Sequence, residues 1–205
     1  MKKKIFLLTL STIIAIILIR CIYFIVCTAT YTPQEGDVIF HVSKSSQSAA
    51  IKIGTLSRYS HCGVIVMKNG EPYVLEAERG VELTPLSKWI KRGVMGNHYR
   101  VMRLKEPQVL DMKYQHLLGI PYDKAFRFNN GKLYCSELVW EIYKDNGVML
   151  CEPKQLSEYH FLNLPEVQKH IKNRGFKMDQ KVVPPSDLTK SDQLKTVAYG
   201  YWKIF

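Results

Sequence analysis

His61-Cys62-Gly63-Val64-Ile65-Val66-Met67-Lys68-Asn69-Gly70-Glu71-Pro72-Tyr73-Val74-Leu75-Glu76-Ala77 carries the pattern that decides the fold. Two apolar runs flank an Asn-Gly pair, the preferred chemistry of a tight hairpin turn. The stretch therefore reads as a strand over His61–Met67, a turn at Asn69-Gly70 and a return strand over Pro72–Ala77. Centring the turn there sets the register: Gly63 faces Glu76, and His61 faces Glu78. Side chains alternate with period two, so His61, Glu76 and Glu78 share one sheet face while Cys62 points to the other.

Upstream, Gly36-Asp37-Val38-Ile39-Phe40-His41-Val42 reads as a first strand. Ser45 to Leu56 has Ala49, Ala50, Ile53 and Leu56 at helical spacing, entered through a serine cap. Downstream, Leu86–Arg92 reads as a short helix and Tyr99–Leu104 as a strand. Pro107–Leu118 has Pro near its first turn and Gly119 at its end, which predicts a helix. Cys135–Asp145 places Leu138, Val139, Ile142 and Tyr143 on one face, and Asn146-Gly147 stops it. After Cys151 the signals weaken to a turn at Pro184-Pro185-Ser186-Asp187. The aromatic end (Tyr199, Tyr201, Trp202, Phe205) reads as a closing strand or a docked tail.

The chain of 205 residues suits one domain. Its first thirty residues stand apart: Met1-Lys2-Lys3-Lys4, an apolar run over Ile5–Ile19, Arg20, then further apolar residues to Val26. This is the layout of a secretory signal peptide or a single membrane anchor, since about 20 mostly apolar residues span a bilayer. The lysines would stay inside, sending the rest to the outer face of the cytoplasmic membrane or the periplasm, tethered by residues 5–26. Four of the 29 basic residues precede Glu35, the first acidic one, leaving 25 against 18 beyond. That surplus favours anionic partners such as a membrane surface. No basic stripe interleaved with aromatics is present, so nucleic acid is not expected as a partner. The five cysteines form no CxxC pair and no Cys/His ligand spacing, so neither a metal site nor a cofactor is expected. Oligomeric state has no sequence signal.

Cys135 falls at the start of a predicted helix, where free N–H groups and the positive dipole end favour a thiolate. A thiolate needs a base, and His61 is the best placed of the six histidines because its strand fixes its direction. A carboxylate must orient that base; pairing favours Glu78, with Glu76 as the diagonal neighbour. Cys62, on the opposite face, is excluded as the thiol that His61 activates.

These residues lie in stretches that resemble a known family. Gly36-Asp37-Val38-Ile39-Phe40, Ser45-Ser46-Gln47-Ser48, Tyr59-Ser60-His61-Cys62-Gly63 and Leu75-Glu76-Ala77 are similar to the permuted papain-like amidases typified by YiiX, in the NlpC-type cysteine hydrolase superfamily. The resemblance continues through Thr84-Pro85-Leu86 with Trp89 and through Gly119-Ile120-Pro121-Tyr122-Asp123 with Phe126. It ends with Tyr134-Cys135-Ser136-Glu137-Leu138-Val139 and Pro185-Ser186-Asp187-Leu188. It implies an α+β, circularly permuted papain-like fold over residues 31–205, an antiparallel sheet packed against a nucleophile-bearing helix. By the same resemblance Cys135 is the nucleophile, His61 its base and Glu76, rather than Glu78, the orienting acid, a choice that a bulge in the hairpin would explain. Tyr122, Asp123, Gln47 and Tyr134 become the expected substrate contacts. The implied activity is hydrolysis of an amide, peptide or acyl, in the cell envelope through a thioester. An acyltransferase on lipids and a non-catalytic binding module are its rivals.

Overall fold

Six antiparallel strands form the main sheet of this computed structural model, which describes residues 9–19, 21–22, 31–94 and 98–200. They are β1 (Val38–His41), β2 (His61–Lys68), β3 (Glu71–Ala77), β4 (Val81–Pro85), β5 (Tyr99–Leu104) and β8 (Leu194–Tyr199), in spatial order β4-β3-β2-β1-β5-β8. A separate two-stranded ribbon pairs β6 (Lys154–Gln155) with β7 (Lys181–Val182). Besides an N-terminal helix at residues 9–19 and 21–22, five helices accompany them among the described residues: α1 (Ser48–Gly54), α2 (Leu86–Arg92), α3 (Cys135–Asp145), α4 (Pro165–Arg174) and α5 (Pro185–Leu188).

The β2–β3 hairpin has the register its turn dictates, with Val64 opposite Leu75 and Lys68 opposite Glu71. Asn69 and Gly70 both adopt positive φ, 53° and 82°, as a two-residue hairpin turn with the strands' twist requires. No bulge interrupts the paired residues of this hairpin.

Alternation along the strands builds two cores. Val38, Phe40, Cys62, Val64, Val66 and Leu75 lie on one face, beneath Leu138, Val139, Ile142 and Tyr143 of α3. Ile39, Ile65, Val74 and Val101 lie on the other, beneath Trp89 of α2. Each fully buried aliphatic or aromatic side chain contributes about 1.5–3 kcal/mol, so the α3 face alone is a major source of stability. Its helix ends where Asn146 caps it and Gly147 turns left-handed at φ 75°. A smaller cluster (Leu156, Val167, Ile171, Val182) packs α4 against the ribbon.

The Gly36-Asp37 motif is structural. Gly36 sits at φ 85°, its N–H donates to Ile65 and its carbonyl accepts from the Tyr143 hydroxyl. The Asp37 carboxylate receives a two-pronged Arg103 contact at 2.6 and 2.8 Å and the Tyr31 hydroxyl at 2.8 Å, tying β1 to β5.

Two expectations need correction. Residues 107–118 are not a helix: apart from a 3-10 turn at Gln115–Leu117 they form no regular secondary structure. The reason is a period of two, because Leu110, Met112 and Tyr114 anchor to the main core while Val109 is 96% exposed. The helix over 45–56 shrinks to α1, and its N-cap is Gln47 without a side-chain cap bond. Ser48 turns instead to the Ser60 hydroxyl at 2.6 Å, which also accepts the Ser43 N–H. The closing strand is β8, at the sheet edge beside β5; Tyr201, Trp202 and Phe205 lie outside the described residues. So do residues 1–8, 20 and 23–30 of the expected signal or anchor, whose remaining residues are helical. Among the described residues, no helix is long and apolar enough to cross a membrane.

Candidate active site

His61, Glu76 and Cys135 meet where β2 begins. The His61 Nε2 lies 2.6 Å from Glu76 Oε2, which leaves Nδ1 for Cys135, whose thiol acts on the ring from close by. The regular β2–β3 pairing ends at Val64–Leu75, short of His61, and Gly63 leaves room for the Glu76 carboxylate to reach the ring. A β-carbon there would come within 2.5 Å of Val74 Cγ1, 2.7 Å of the Leu75 carbonyl and 3.3 Å of Glu76 Cβ. With no side chain at 63, the imidazole and the carboxylate close over the gap.

Glu76 is fully buried and surrounded by donors. Thr84 Oγ1 donates to Oε1 at 2.6 Å, Trp89 Nε1 donates to Oε2 at 2.8 Å, and Arg92 pairs with Oε1. Trp89 and Arg92 stand three apart on α2 and so share a face. Burial alone would raise the Glu76 carboxyl, but the His61 hydrogen bond and charge, then Thr84 and Arg92, draw it down to about 2. Arg92 also bonds Glu78 at 2.6 Å and lies 3.9 Å from Glu82. The three carboxylates come within 4.8 Å of one another. Their common cation is that guanidinium, an arrangement that does not fit a metal ion.

The Cys135 thiol is buried at the first residue of α3, where the backbone N–H groups lack intrahelical acceptors. Hydrogen bonding with the Cys62 thiol, the charge and ring of His61, and the Cys62 backbone N–H hold it well below the ordinary thiol value, against burial. For His61 the sign is opposite. Burial works to lower it, yet the charge and hydrogen bond of Cys135, with those of Glu76, carry it up to about 10. Both shifts favour one state, a thiolate–imidazolium pair across the neutral range. His41, stacked on Trp89 at 3.8 Å, is driven down to about 2 by burial and by the His61 charge, so it stays neutral beside the pair.

Tyr122 reaches this centre because its loop is stitched to β4: Val81 N–H donates to Ile120, and Gly119 N–H to Val81. Its hydroxyl accepts a 2.9 Å bond from Gln47 Nε2, and it lies within electrostatic reach of Cys135. Asp123 departs from expectation. Its carboxylate accepts the N–H groups of Ala125 (2.9 Å) and Arg127 and the Asn130 amide (3.1 Å), so it holds its own loop rather than facing a substrate. Tyr134 is divided: its hydroxyl accepts the Val183 N–H at 3.0 Å, while its ring lines a cavity.

That cavity, of about 70 Å³, has Cys135 in its wall and continues between α1 and α4 past Ile51, Phe126, Leu162, Val167 and Phe176. Its lining is almost wholly apolar.

The family profile described as permuted papain-like amidase enzyme, YaeF/YiiX, C92 family, matches residues 32–198. The chain belongs to that family. As a C92 member it is a cysteine hydrolase of permuted papain-like fold, in which the histidine-bearing strands precede the cysteine-bearing helix. The YiiX protein of Escherichia coli K12 is 39% identical over 184 residues, covering 85% of this chain and 90% of that one. A crystal structure of YiiX from Escherichia coli O157:H7, described as a metalloprotein, superposes with a TM-score of 0.78 at 39% identity. It covers 82% of this chain and 98% of that one.

Sequence reasoning gave no role to the cage around Glu76. Thr84 and Trp89 lay in matched stretches, but Arg92 did not; its only local signal was the three-residue spacing from Trp89. The contact between Cys62 and Cys135 was also missed, because the face argument compared Cys62 with His61 and not with α3.

Proposed function

We propose that this C92 enzyme cleaves the amide of an apolar acyl chain by way of a thioester on Cys135, at the cell envelope. The observation that carries the reading is the apolar cavity that Cys135 helps to line. A peptide from a cell wall would find few polar partners there, whereas a hydrocarbon chain loses water on entry.

The Cys135 thiolate attacks the carbonyl carbon and a C–S bond forms. The oxyanion is met by the Cys135 backbone N–H and the Tyr122 hydroxyl, which Gln47 holds in place. The His61 imidazolium passes its Nδ1 proton to the amine, and the C–N bond breaks. Water then surrenders a proton to His61, attacks the thioester and releases the acid and the thiolate. Glu76 keeps the ring oriented throughout and stabilises its charge.

The substrate test is a series of N-acyl amino acids of rising chain length. Each buried methylene is worth about 0.8 kcal/mol, so kcat/KM rises about fourfold per methylene until the cavity is full. Rates that ignore chain length, or that are faster on muropeptides, overturn the acyl assignment. Transfer of the acyl group to an added amine in preference to water makes the protein an acyltransferase.

For location we propose export, with residues 5–26 as a tether holding the basic domain against anionic lipid. Protease added to intact spheroplasts then degrades the domain. Full-length protein protected in the cytosol refutes the assignment.

A further inference from the structure

Cys62 takes part in no bond-making or bond-breaking step of this reaction, yet its thiol lies close enough to the nucleophile to help hold it ionised. It is fully buried in β2 between His61 and Gly63, on the sheet face that α3 covers and in the same core cluster as Cys135, and each thiol lies within interaction range of the other. Strand patterning asks only for a small apolar residue here, as at Val64 and Val66. A plain core residue would meet that need; a second thiol on the nucleophile's sulfur goes beyond it. Of the other described cysteines, Cys21 lies in the N-terminal helix and Cys151 far along the chain, its carbonyl bonded by Trp140.

We propose that Cys62 is a resolving thiol: a hydroperoxide oxidises Cys135, and Cys62 captures the product as a Cys62–Cys135 disulfide that reversibly closes the site. The inference rests on Cys135 being the reactive thiolate. In the first step the Cys135 thiolate attacks the peroxide, the O–O bond breaks, and a sulfenic acid forms while the departing alkoxide or hydroxide takes a proton from His61. In the second the Cys62 sulfur attacks the sulfenic sulfur, an S–S bond forms and the S–O bond breaks. The hydroxide leaves as water with the Cys62 proton. Two thiols have lost two electrons and the peroxide has gained them. Burial keeps Cys62 protonated until then, so it does not compete for the oxidant. The apolar cavity that reaches Cys135 admits a small neutral peroxide. Closure to an S–S distance of about 2.05 Å removes the nucleophile and leaves His61 without its anion.

The test treats the full-length protein with equimolar hydrogen peroxide and maps it by mass spectrometry without reduction. The expected product joins the Cys62 and Cys135 peptides with the loss of two hydrogens. Iodoacetamide labelling of Cys135 falls more than tenfold and returns with dithiothreitol. In Cys62→Ala the sulfenic acid proceeds to sulfinic acid and labelling does not return, while Cys151→Ser behaves as wild type. Sulfinic Cys135 beside free Cys62 in the wild type, or equal recovery in Cys62→Ala, overturns the proposal. Labelling before peroxide keeps the two readings apart. A Cys135 that alkylates rapidly at mildly acidic pH but never links to Cys62 refutes only the resolving role; an inert Cys135 refutes the nucleophile as well.

Discussion

Replacing Glu76 with glutamine keeps the shape of the side chain and removes the one acceptor on which four donors converge. Oε1 accepts from Thr84 and Arg92, and Oε2 from His61 and Trp89, so an amide NH2 at either position faces two donors. With the amide oxygen toward Arg92, the NH2 meets His61 Nε2, which must then accept. The ring proton moves to Nδ1, pointing at the sulfur, and His61 can no longer take a proton from the thiol. Cys135 thus returns toward the ordinary value of 9.0. A thiol with that value ionises tenfold less per pH unit below it, a fall of about 10³ between pH 8 and pH 5. The assay is the rate of iodoacetamide alkylation of Cys135 against pH. Wild type is expected to be flat across that span, because the thiolate is already formed; Glu76→Gln is expected to fall steeply. Hydrolysis drops by about 10²- to 10⁴-fold, the usual general acid–base contribution. A thermal melt establishes that the variant is folded. A flat alkylation profile in folded Glu76→Gln refutes the idea that Glu76 sustains the ion pair.

Glu78→Gln weakens only the part-exposed contact with Arg92 at 2.6 Å, worth under about 1 kcal/mol, and activity stays within severalfold of wild type. A loss matching that of Glu76→Gln would make the strand-opposite carboxylate the orienter. Tyr122→Phe deletes the oxyanion donor held by Gln47, so kcat falls by about 10²- to 10³-fold while KM holds; an unchanged kcat removes Tyr122 from the mechanism. Glu137 is fully buried with Oε1 unpartnered, and burial pushes its carboxyl up to about 8. The folded state therefore binds more protons than the unfolded one between the ordinary value of 4.5 and 8, and stability falls as pH rises through that window. Glu137→Gln should flatten this part of the stability–pH curve in urea melts; an identical curve would discount the buried acid.

Much of this was legible because it was local. The Asn69-Gly70 turn fixed the hairpin register, and one apolar face with a glycine stop marked out Cys135–Asp145. What the sequence hid was non-local or an absence of atoms. The His61 contact with Glu76 forms beside Gly63, beyond the last regular pair of the hairpin, where a register counted from the turn had leaned to Glu78. Arg92 reaches Glu76 from α2, which packs on the same sheet face, a contact with no pattern along the chain. Residues 107–118 carried the punctuation of a helix, Pro at one end and Gly at the other. Their anchors instead fall every second residue, and tertiary contact decided. Asp123 illustrates a motif residue whose work is the loop itself.

The central claim is that acyl groups pass through Cys135. Intact-protein mass spectrometry of the full-length chain, quenched in acid during turnover of a long-chain acyl amide or activated acyl ester, reads this directly. The account expects one acyl adduct, mapped to the Cys135 peptide, which appears within the first turnover and decays as free acid accumulates. Cys135→Ala should show neither adduct nor acid. Acid release by Cys135→Ala at the wild-type rate, or an adduct on another residue, would contradict it.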